Sequence, residues 1–193
     1  MTIPAWTSEG ILPPFLGPEP TTALRSPYAT TPRALVDRFA INAHRVEILD
    51  GFLRYRAELH ALGFFDGVQW IDGSFLEHVE KQRSDGRAAG PPGDVDVVTL
   101  TVPPATLADP AAVMARFFAG HACKAEFRTD AFLIQMDDPG PPSVVEHLIY
   151  WYGLFSHRRG TLAWKGMLCI PMADTQDAQA RQLLAQRRQE VQS

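Results

Sequence analysis

The stretch VQWIDGS at residues 68–74 and the stretch GDVDVV at residues 93–98 decide the fold that we predict for this chain. The first is a short apolar run that ends in a Gly-Ser pair. The second follows a Pro-Pro-Gly turn and opens a segment rich in Val and Thr, a composition typical of strands. Because residues i and i+2 of a strand point to the same face, Asp94 and Asp96 are predicted to project side by side from the start of a strand ending at Val102.

Two neighbouring carboxylates indicate a metal site, because paired anions are costly unless a cation joins them. Mg²⁺ prefers carboxylate oxygens together with substrate phosphates, and two ions about 3.5–4 Å apart can stabilise both the attacking and the leaving oxygen. Gly73 and Ser74 would hold the phosphates, since an anion is favoured at a helix N-terminus. The alternative is that Asp-x-Asp simply begins a solvated strand after a turn, and that Gly-Ser is an ordinary turn dipeptide.

The order of these features resembles the nucleotidyltransferase superfamily typified by DNA polymerase beta, whose signature is Gly-Ser at one strand end and Asp-x-Asp on the next. A closer resemblance, over residues 10–170, is to a bacterial family of nucleotidyltransferase-like proteins. It is carried by Gly10 to Pro14, Arg38-Phe39, Asp72 to Phe75, Asp94 to Val97, Tyr150-Trp151, Phe155, Arg159 and Lys165-Gly166. The resemblance implies an α/β (α+β) fold with a small mixed sheet, and Mg²⁺- or Mn²⁺-dependent transfer of a nucleoside monophosphate from an NTP to a hydroxyl acceptor.

The spacing between the two motifs departs from the superfamily pattern. Nineteen residues separate Ser74 from Asp94, and the usual gap is about half as long. The excess lies in Glu80 to Gly90, a polar stretch that we predict to loop outward, since lengthening a surface loop costs little entropy.

A third carboxylate is expected on a later strand, where it would orient the nucleophile or complete the metal shell. Residues 124–134 read as one long strand, in which Asp130 shares a face with large apolar residues, so Asp130 is our candidate. An unpaired buried carboxylate is costly and should meet a cation. Glu126 is the substitute if the register differs, and an edge-strand charge is the alternative explanation. Asp72 is predicted to fix the turn rather than to bind metal.

Two cations of a later loop complete the predicted site. Arg159 and Lys165 match the similar family's positions, and cations near the site would suit a triphosphate. Solvated loop charges are the alternative. The aromatic residues of a helix predicted to begin after Ser143 and to run to about Phe155 could form core or a nucleobase wall, and burial of apolar area favours core.

Composition bounds the organisation and the partners. The predicted parts are an extended Pro-rich arm over residues 1–31, a nucleotidyltransferase-like domain over 32–172 and a C-terminal helix over 173–193. The net charge of −4 argues against general nucleic-acid binding. No long apolar run is present, so we expect a soluble cytoplasmic protein without membrane contact.

Three functional interpretations stay open on the sequence alone. The chain could be an active nucleotidyltransferase whose acceptor is a protein, an RNA end or a small molecule. It could be a nucleotide-binding regulatory module without turnover, or work with a protein partner in a bacterial toxin–antitoxin or phage-defence pair.

Overall fold

A computed structural model describes residues 2–19, 21, 24–81, 88–140, 142–173 and 176–192 of the chain. The strands are β1 Phe15–Leu16, β2 Leu24–Arg25, β3 Tyr28–Ala29, β4 Val68–Asp72, β5 Val95–Thr101, β6 Thr129–Gln135 and β7 Leu168–Pro171. The helices are α1 Pro32–Phe39, α2 Ala43–Ala61, α3 Pro110–Phe117, α4 His121–Phe127, α5 Val144–Phe155 and α6 Asp177–Glu190. The mixed α/β class predicted from the sequence is confirmed.

Five strands form one mixed sheet in the order β3-β7-β4-β5-β6, and β1 pairs with β2 in a separate two-stranded ribbon. Strand β4 runs antiparallel to both of its neighbours, β5 and β7. Strands β5 and β6 are parallel, as are β3 and β7. The C-terminal end of β4 therefore lies at the same end of the sheet as the N-terminal ends of β5 and β6.

The two faces of the sheet are covered unequally. One face carries Ile71, Val97 and Ala131 and packs against a helical layer that includes α1, α2, α4 and α6. The opposite face carries Val98 and Ile134 and is covered by α5. This second face also carries the aspartates at the strand ends, because Asp96 and Val98 are two residues apart on β5.

Several helix boundaries follow from capping residues that the sequence displays. The side chain of Asn42 accepts a hydrogen bond from the amide of Arg45 at the start of α2. Asp109 caps α3 ahead of Pro110 at its first turn. Ser143 and Glu146 form a reciprocal capping box at the start of α5. Such side chains satisfy backbone N–H groups that have no partner within the helix.

The predicted strand over residues 124–134 is wrong in its first part. Residues up to Phe127 form α4, Arg128 ends that helix in the left-handed conformation with φ 50°, and β6 begins only at Thr129. An apolar alternation over a few residues does not separate a short helix from a strand, and packing of Cys123 and Phe127 into the core decides for the helix.

The predicted arm and tail both pack onto the central domain. Leu12 is buried, its carbonyl accepts the Gly166 amide at 2.8 Å, and β3 joins the main sheet. In the tail, α6 buries Ala180 and Leu184 against the helical layer. Both terminal segments therefore contribute to one core.

The predicted outward loop from Glu80 to Gly90 is only partly within the described residues, since 82–87 lie outside them. Its first residue does not point outward, because the Glu80 carboxylate accepts a hydrogen bond of 3.0 Å from the buried guanidinium of Arg45. No helix in the described part of the chain combines the length and the apolar character needed to cross a bilayer.

Candidate functional site

Three aspartates form a row across the ends of neighbouring strands, at one end of the sheet. Asp72 on β4 lies directly opposite Asp96 on β5, and Asp96 lies beside Asp130 on β6. Side chains of directly paired residues stand on the same face of a sheet. Asp94 precedes β5 and is buried near the same row. The structure thus brings together Asp94, Asp96 and Asp130, the three carboxylates selected from the sequence.

Asp72 belongs to this row, which the sequence did not lead us to expect. Its side chain is buried, and its Oδ2 atom lies 2.9 Å from the Nζ atom of Lys165. Its Oδ1 atom is also buried and has no hydrogen-bond partner among the described residues. Burial raises the pKa of Asp72 to about 6 although the ammonium of Lys165 opposes this shift. The side chain therefore forms a buried ion pair, which our prediction of a turn-fixing role did not include.

Asp96, at the centre of the row, is the most strongly perturbed of these carboxylates. Burial is the largest cause, and the negative charges of Asp94, Asp72 and Asp130 add to it, so that the pKa of Asp96 is raised to about 7. A carboxylate in such surroundings is stabilised by a proton or by a cation. The row is consequently a place where a cation would lower the electrostatic energy of the folded protein.

Gly73 lets the chain turn tightly beside Asp96. Its φ is 83°, and a Cβ atom at this position would lie 1.6 Å from Oδ2 of Asp96. Only glycine fits here, because the conformation is unfavourable for other residues and the carboxylate fills the space. The backbone of the predicted phosphate-holding pair is thereby set against the row.

Ser74 lies at a helix N-terminus, as predicted, but the helix is only one turn long. It opens a single 3₁₀ turn, Ser74–Leu76, after which Glu77 returns to an extended conformation with φ −98° and ψ 155°. The Glu77 carboxylate is buried and accepts hydrogen bonds from Arg158 at 2.9 Å and Lys165 at 3.2 Å. Glu77 makes these ionic contacts from the extended conformation in which the turn ends.

Lys165 is not a solvated loop charge. Its side chain is 4% exposed, and its ammonium contacts the carboxylates of both Asp72 and Glu77. Arg159 is exposed, whereas its neighbour Arg158 is buried and donates to Glu77 and to the carbonyl of Glu9. The structure therefore places Lys165 behind Asp72 and leaves Arg159 on the surface. Their predicted role in nucleotide binding stays a prediction.

Lys124 is the site cation that sequence reasoning missed. Its ammonium contacts the Asp94 carboxylate and lies 4.0 Å from Oδ2 of Asp130. It was missed because residues 124–127 were assigned to a strand. Glu126, the predicted substitute for Asp130, lies on α4 and forms an exposed ion pair with Arg116 at 2.6 Å. Glu126 is therefore not a member of the row.

An open cavity of about 650 Å³ lies on the same face of the sheet as the row. Its walls include Trp70, Tyr152 and Trp164, and its polar lining includes Ser156 and His157. Trp70 precedes Asp72 by two residues on β4, so its side chain lies on the same face, about 7 Å along the strand. This volume is within the usual range for small-molecule sites.

The aromatic residues of α5 are less buried than we predicted. Trp151 packs on Phe132 with ring centroids 4.5 Å apart, as a core residue would. Tyr150 and Tyr152, however, are 61% and 36% exposed. The prediction of a core role is wrong for these two tyrosines, because only one stripe of α5 faces the sheet. Tyr152 instead lines the cavity.

The donor set of the row suits a hard divalent cation. The three aspartates of the row and the neighbouring Asp94 all offer carboxylate oxygens, the ligands that Mg²⁺ prefers. The unpaired Oδ1 of Asp72 and the crowded Asp96 add to this fit. As the side chains stand, no three Asp, Glu, His or Cys groups among the described residues are arranged to hold an ion. Two of the four carboxylates instead contact an ammonium group, since Asp94 contacts Lys124 and Asp72 contacts Lys165.

Comparison with known proteins gives one match. The model of a family of unknown function (DUF6932) matches residues 4–171. No curated protein and no solved structure matches the chain. The matched region includes every residue of the row, together with Gly73, Ser74, Lys124 and Lys165.

Proposed function

Since the chain belongs to the DUF6932 family, whose function is unknown, we propose an activity from the site itself: metal-dependent transfer of a nucleoside monophosphate from an NTP to a hydroxyl acceptor. The observation that carries the proposal is the row of Asp72, Asp96 and Asp130, in register on three adjacent strands. Asp72 and Asp96 in this row both have a raised pKa, and carboxylates perturbed in this way are typical of functional sites.

Asp94 and Asp96 would hold the metal, with Asp130 completing its shell. Bound Mg²⁺ or Mn²⁺ would supply electrostatic stabilisation of the charge that develops on the phosphate oxygens. Burial and mutual repulsion make Asp96 costly to ionise, and this cost falls when a cation is present. Lys165 holds Asp72 in place from behind, since its ammonium lies between Asp72 and Glu77.

Groups of the chain itself would orient the phosphates and accept the proton of the acceptor hydroxyl. The Gly73 backbone and the Ser74 hydroxyl would contact the β- and γ-phosphates. The Asp130 carboxylate would accept the proton of the acceptor hydroxyl. The acceptor oxygen then forms a bond to the α-phosphorus, the bond from that phosphorus to the bridging oxygen breaks, and pyrophosphate leaves with the electron pair. Holding the two reactants in line supplies much of the rate increase.

The aromatic cavity supports a nucleotide as the donor. A planar base could lie between Trp70, Tyr152 and Trp164. Because Trp70 is about 7 Å from Asp72 along β4, the sugar would span the distance from the base to the phosphates at the row. Stacking on aromatic side chains tolerates different bases. We therefore expect weak discrimination among the four NTPs.

The first test is divalent-dependent nucleotide binding, followed by transfer. The purified protein would be titrated with a non-hydrolysable NTP in the presence of Mn²⁺, and in parallel incubated with labelled NTPs and a cell extract that supplies acceptors. We expect binding that requires Mn²⁺, release of pyrophosphate and a labelled acceptor. Asp130→Ala should depress transfer more than nucleotide binding, because Asp94 and Asp96 would still hold the metal while the carboxylate that acts on the acceptor is lost.

Two variants make this test specific. Asp96→Asn keeps the shape of the side chain and removes a charged ligand, so Mn²⁺-dependent binding should be lost. Glu126→Gln removes the same charge from an exposed pair outside the row and should leave binding unchanged. Nucleotide binding without turnover under every acceptor condition would favour the regulatory module, and no binding at all would remove both nucleotide hypotheses.

A further inference from the structure

Lys124 is placed where it competes with a divalent cation. Its ammonium contacts Asp94 and lies 4.0 Å from Asp130, so it stands between two of the carboxylates that would hold the metal. Among the described residues, Lys124 is the only cation that forms an ion pair with either of them. The acidic row is thus partly neutralised by a side chain of the protein itself.

This ion pair differs from the one on the other side of the row. The Lys165 side chain is 4% exposed and held between two carboxylates, whereas that of Lys124 is 45% exposed. A lysine ammonium on a flexible four-carbon stem can change position without moving the backbone. Lys165 is therefore a fixed part of the site, and Lys124 is free to exchange its partner.

A cation that bound Asp94 and Asp130 would displace the ammonium and leave it beside whatever the metal carries. In the proposed reaction that is a triphosphate, whose oxygens are strong acceptors for an ammonium. The displaced group would lose one anionic partner and gain another. Such an exchange lets the positive charge of Lys124 serve both the free and the loaded protein.

We propose that Lys124 is a substrate-contacting residue that exchanges its partner: it pairs with Asp94 and Asp130 in the metal-free protein, yields them to the divalent ion, and then binds the triphosphate. This inference rests on the proposed function, since it requires a metal-bound nucleotide. It goes further by assigning the phosphate-binding cation to α4 rather than to the loop that holds Arg159 and Lys165.

The exchange predicts effects of opposite sign on two affinities. In Lys124→Met, Mn²⁺ alone should bind more tightly by on the order of three- to tenfold, because no ammonium competes for the carboxylates. A non-hydrolysable NTP in saturating Mn²⁺ should bind more weakly by on the order of tenfold, because a charge-assisted hydrogen bond is lost. The first is measured by electron paramagnetic resonance of free Mn²⁺ and the second by titration calorimetry. Lys124→Arg keeps the charge, so it should show neither the tighter Mn²⁺ binding nor the weaker nucleotide binding expected for Lys124→Met.

Arg128→Gln is the matched control, since it removes one positive charge four residues away. The Arg128 guanidinium pairs with Glu47 at 3.4 Å rather than with the row. Both affinities should stay within about twofold of wild type, because separated exposed charges are screened in physiological salt.

Each outcome separates this inference from the proposed function. If Lys124→Met leaves Mn²⁺ affinity unchanged or weaker, the ammonium does not compete with the metal and the inference is wrong. Tighter Mn²⁺ binding with unchanged nucleotide affinity would also overturn it, because the phosphate contact would then be absent. If the wild type binds neither Mn²⁺ nor nucleotide, the proposed function itself fails.

Discussion

Two groups of buried charges in this protein are arranged in opposite ways. The guanidinium of Arg56 is fully buried and binds both carboxylate oxygens of Asp177, the side-chain oxygen of Gln69 and the carbonyl of Pro171. Arg45, near the start of the same helix, is likewise buried and donates to Glu80 and to two backbone carbonyls. Both charges meet a nearly full set of partners.

The aspartate row lacks such saturation. Asp72 keeps one buried oxygen without a hydrogen bond among the described residues, and Asp96 is surrounded by other carboxylates. A buried charge is stable when it is paired and hydrogen-bonded, and costly otherwise. Arg45 and Arg56 therefore hold the fold together, whereas the row carries negative charge that a ligand can neutralise. The following substitutions test this contrast.

The largest effect is expected at Arg56. Arg56→Ala should lower the free energy of unfolding by about 3–5 kcal/mol, because it leaves Asp177 buried without its main partner. Urea denaturation measures this loss. The control is Arg54→Ala on the same helix, where an exposed pair with Asp50 at 3.4 Å should contribute less than about 1 kcal/mol. Similar losses in both variants would contradict the structural role of Arg56.

Gly73→Ala should have the next largest effect. The added Cβ would collide with the Asp96 carboxylate in a backbone conformation that disfavours Ala, so we expect a loss of about 1–3 kcal/mol and of nucleotide binding. Gly153→Ala is the matched control, since its Cβ would meet nothing within 4 Å. Within α5 that change should stabilise the protein by up to about 1 kcal/mol. A tolerated Gly73→Ala would show that the row is less tightly enclosed than described.

Asp96→Asn should stabilise the metal-free protein, whereas removal of a charge with many hydrogen bonds, such as that of Arg56, should destabilise it. At pH 8 the neutral amide avoids the burial and repulsion that raise the pKa of Asp96 to about 7. We expect a gain on the order of 2 kcal/mol in chelator-treated protein. Thermal unfolding measures it, and a lower unfolding temperature for Asp96→Asn at pH 8 would contradict the assignment.

The same carboxylate sets the sign of the pH dependence. Since the pKa of Asp96 is about 7 when folded and near 3.9 when unfolded, the folded protein holds a proton that the unfolded chain has lost. Stability of the metal-free protein should therefore rise as the pH falls from about 8 to 6. Asp72, with a raised pKa of about 6, contributes in the same direction at lower pH. Asp96→Asn should flatten this dependence above pH 6.

The smallest effect on stability is expected at the cavity wall. Trp164 is 46% exposed, so Trp164→Ala should change the unfolding free energy little while weakening nucleotide binding by roughly fivefold or more through lost stacking. Leu162→Ala, at a position 76% exposed in the same loop, serves as the control. Unchanged affinity in Trp164→Ala would mean that the base lies elsewhere.

Much of the fold could be predicted because its signals are local. Ser143 caps α5, where a helix was predicted to begin, and Asn42 and Asp109 cap α2 and α3 in the same way, since a cap depends on a side chain and the next three residues. The segment 124–127 could not be predicted in the same way, because its choice between helix and strand depends on core packing of Cys123 and Phe127. The Lys124 contact with the row was lost with it.

Strand periodicity and glycine turns act over a few residues, so the mixed α/β class and the shared face of Asp94 and Asp96 could be predicted from the sequence. The positions of Asp72 and Asp130 on either side of Asp96 could not, since strand pairing joins residues far apart in the chain. The tertiary structure also decided that Lys165 is buried while Lys124 reaches the row. The charge of a lysine is written in the sequence, but its partners and its access to solvent are set by the residues that folding places around it.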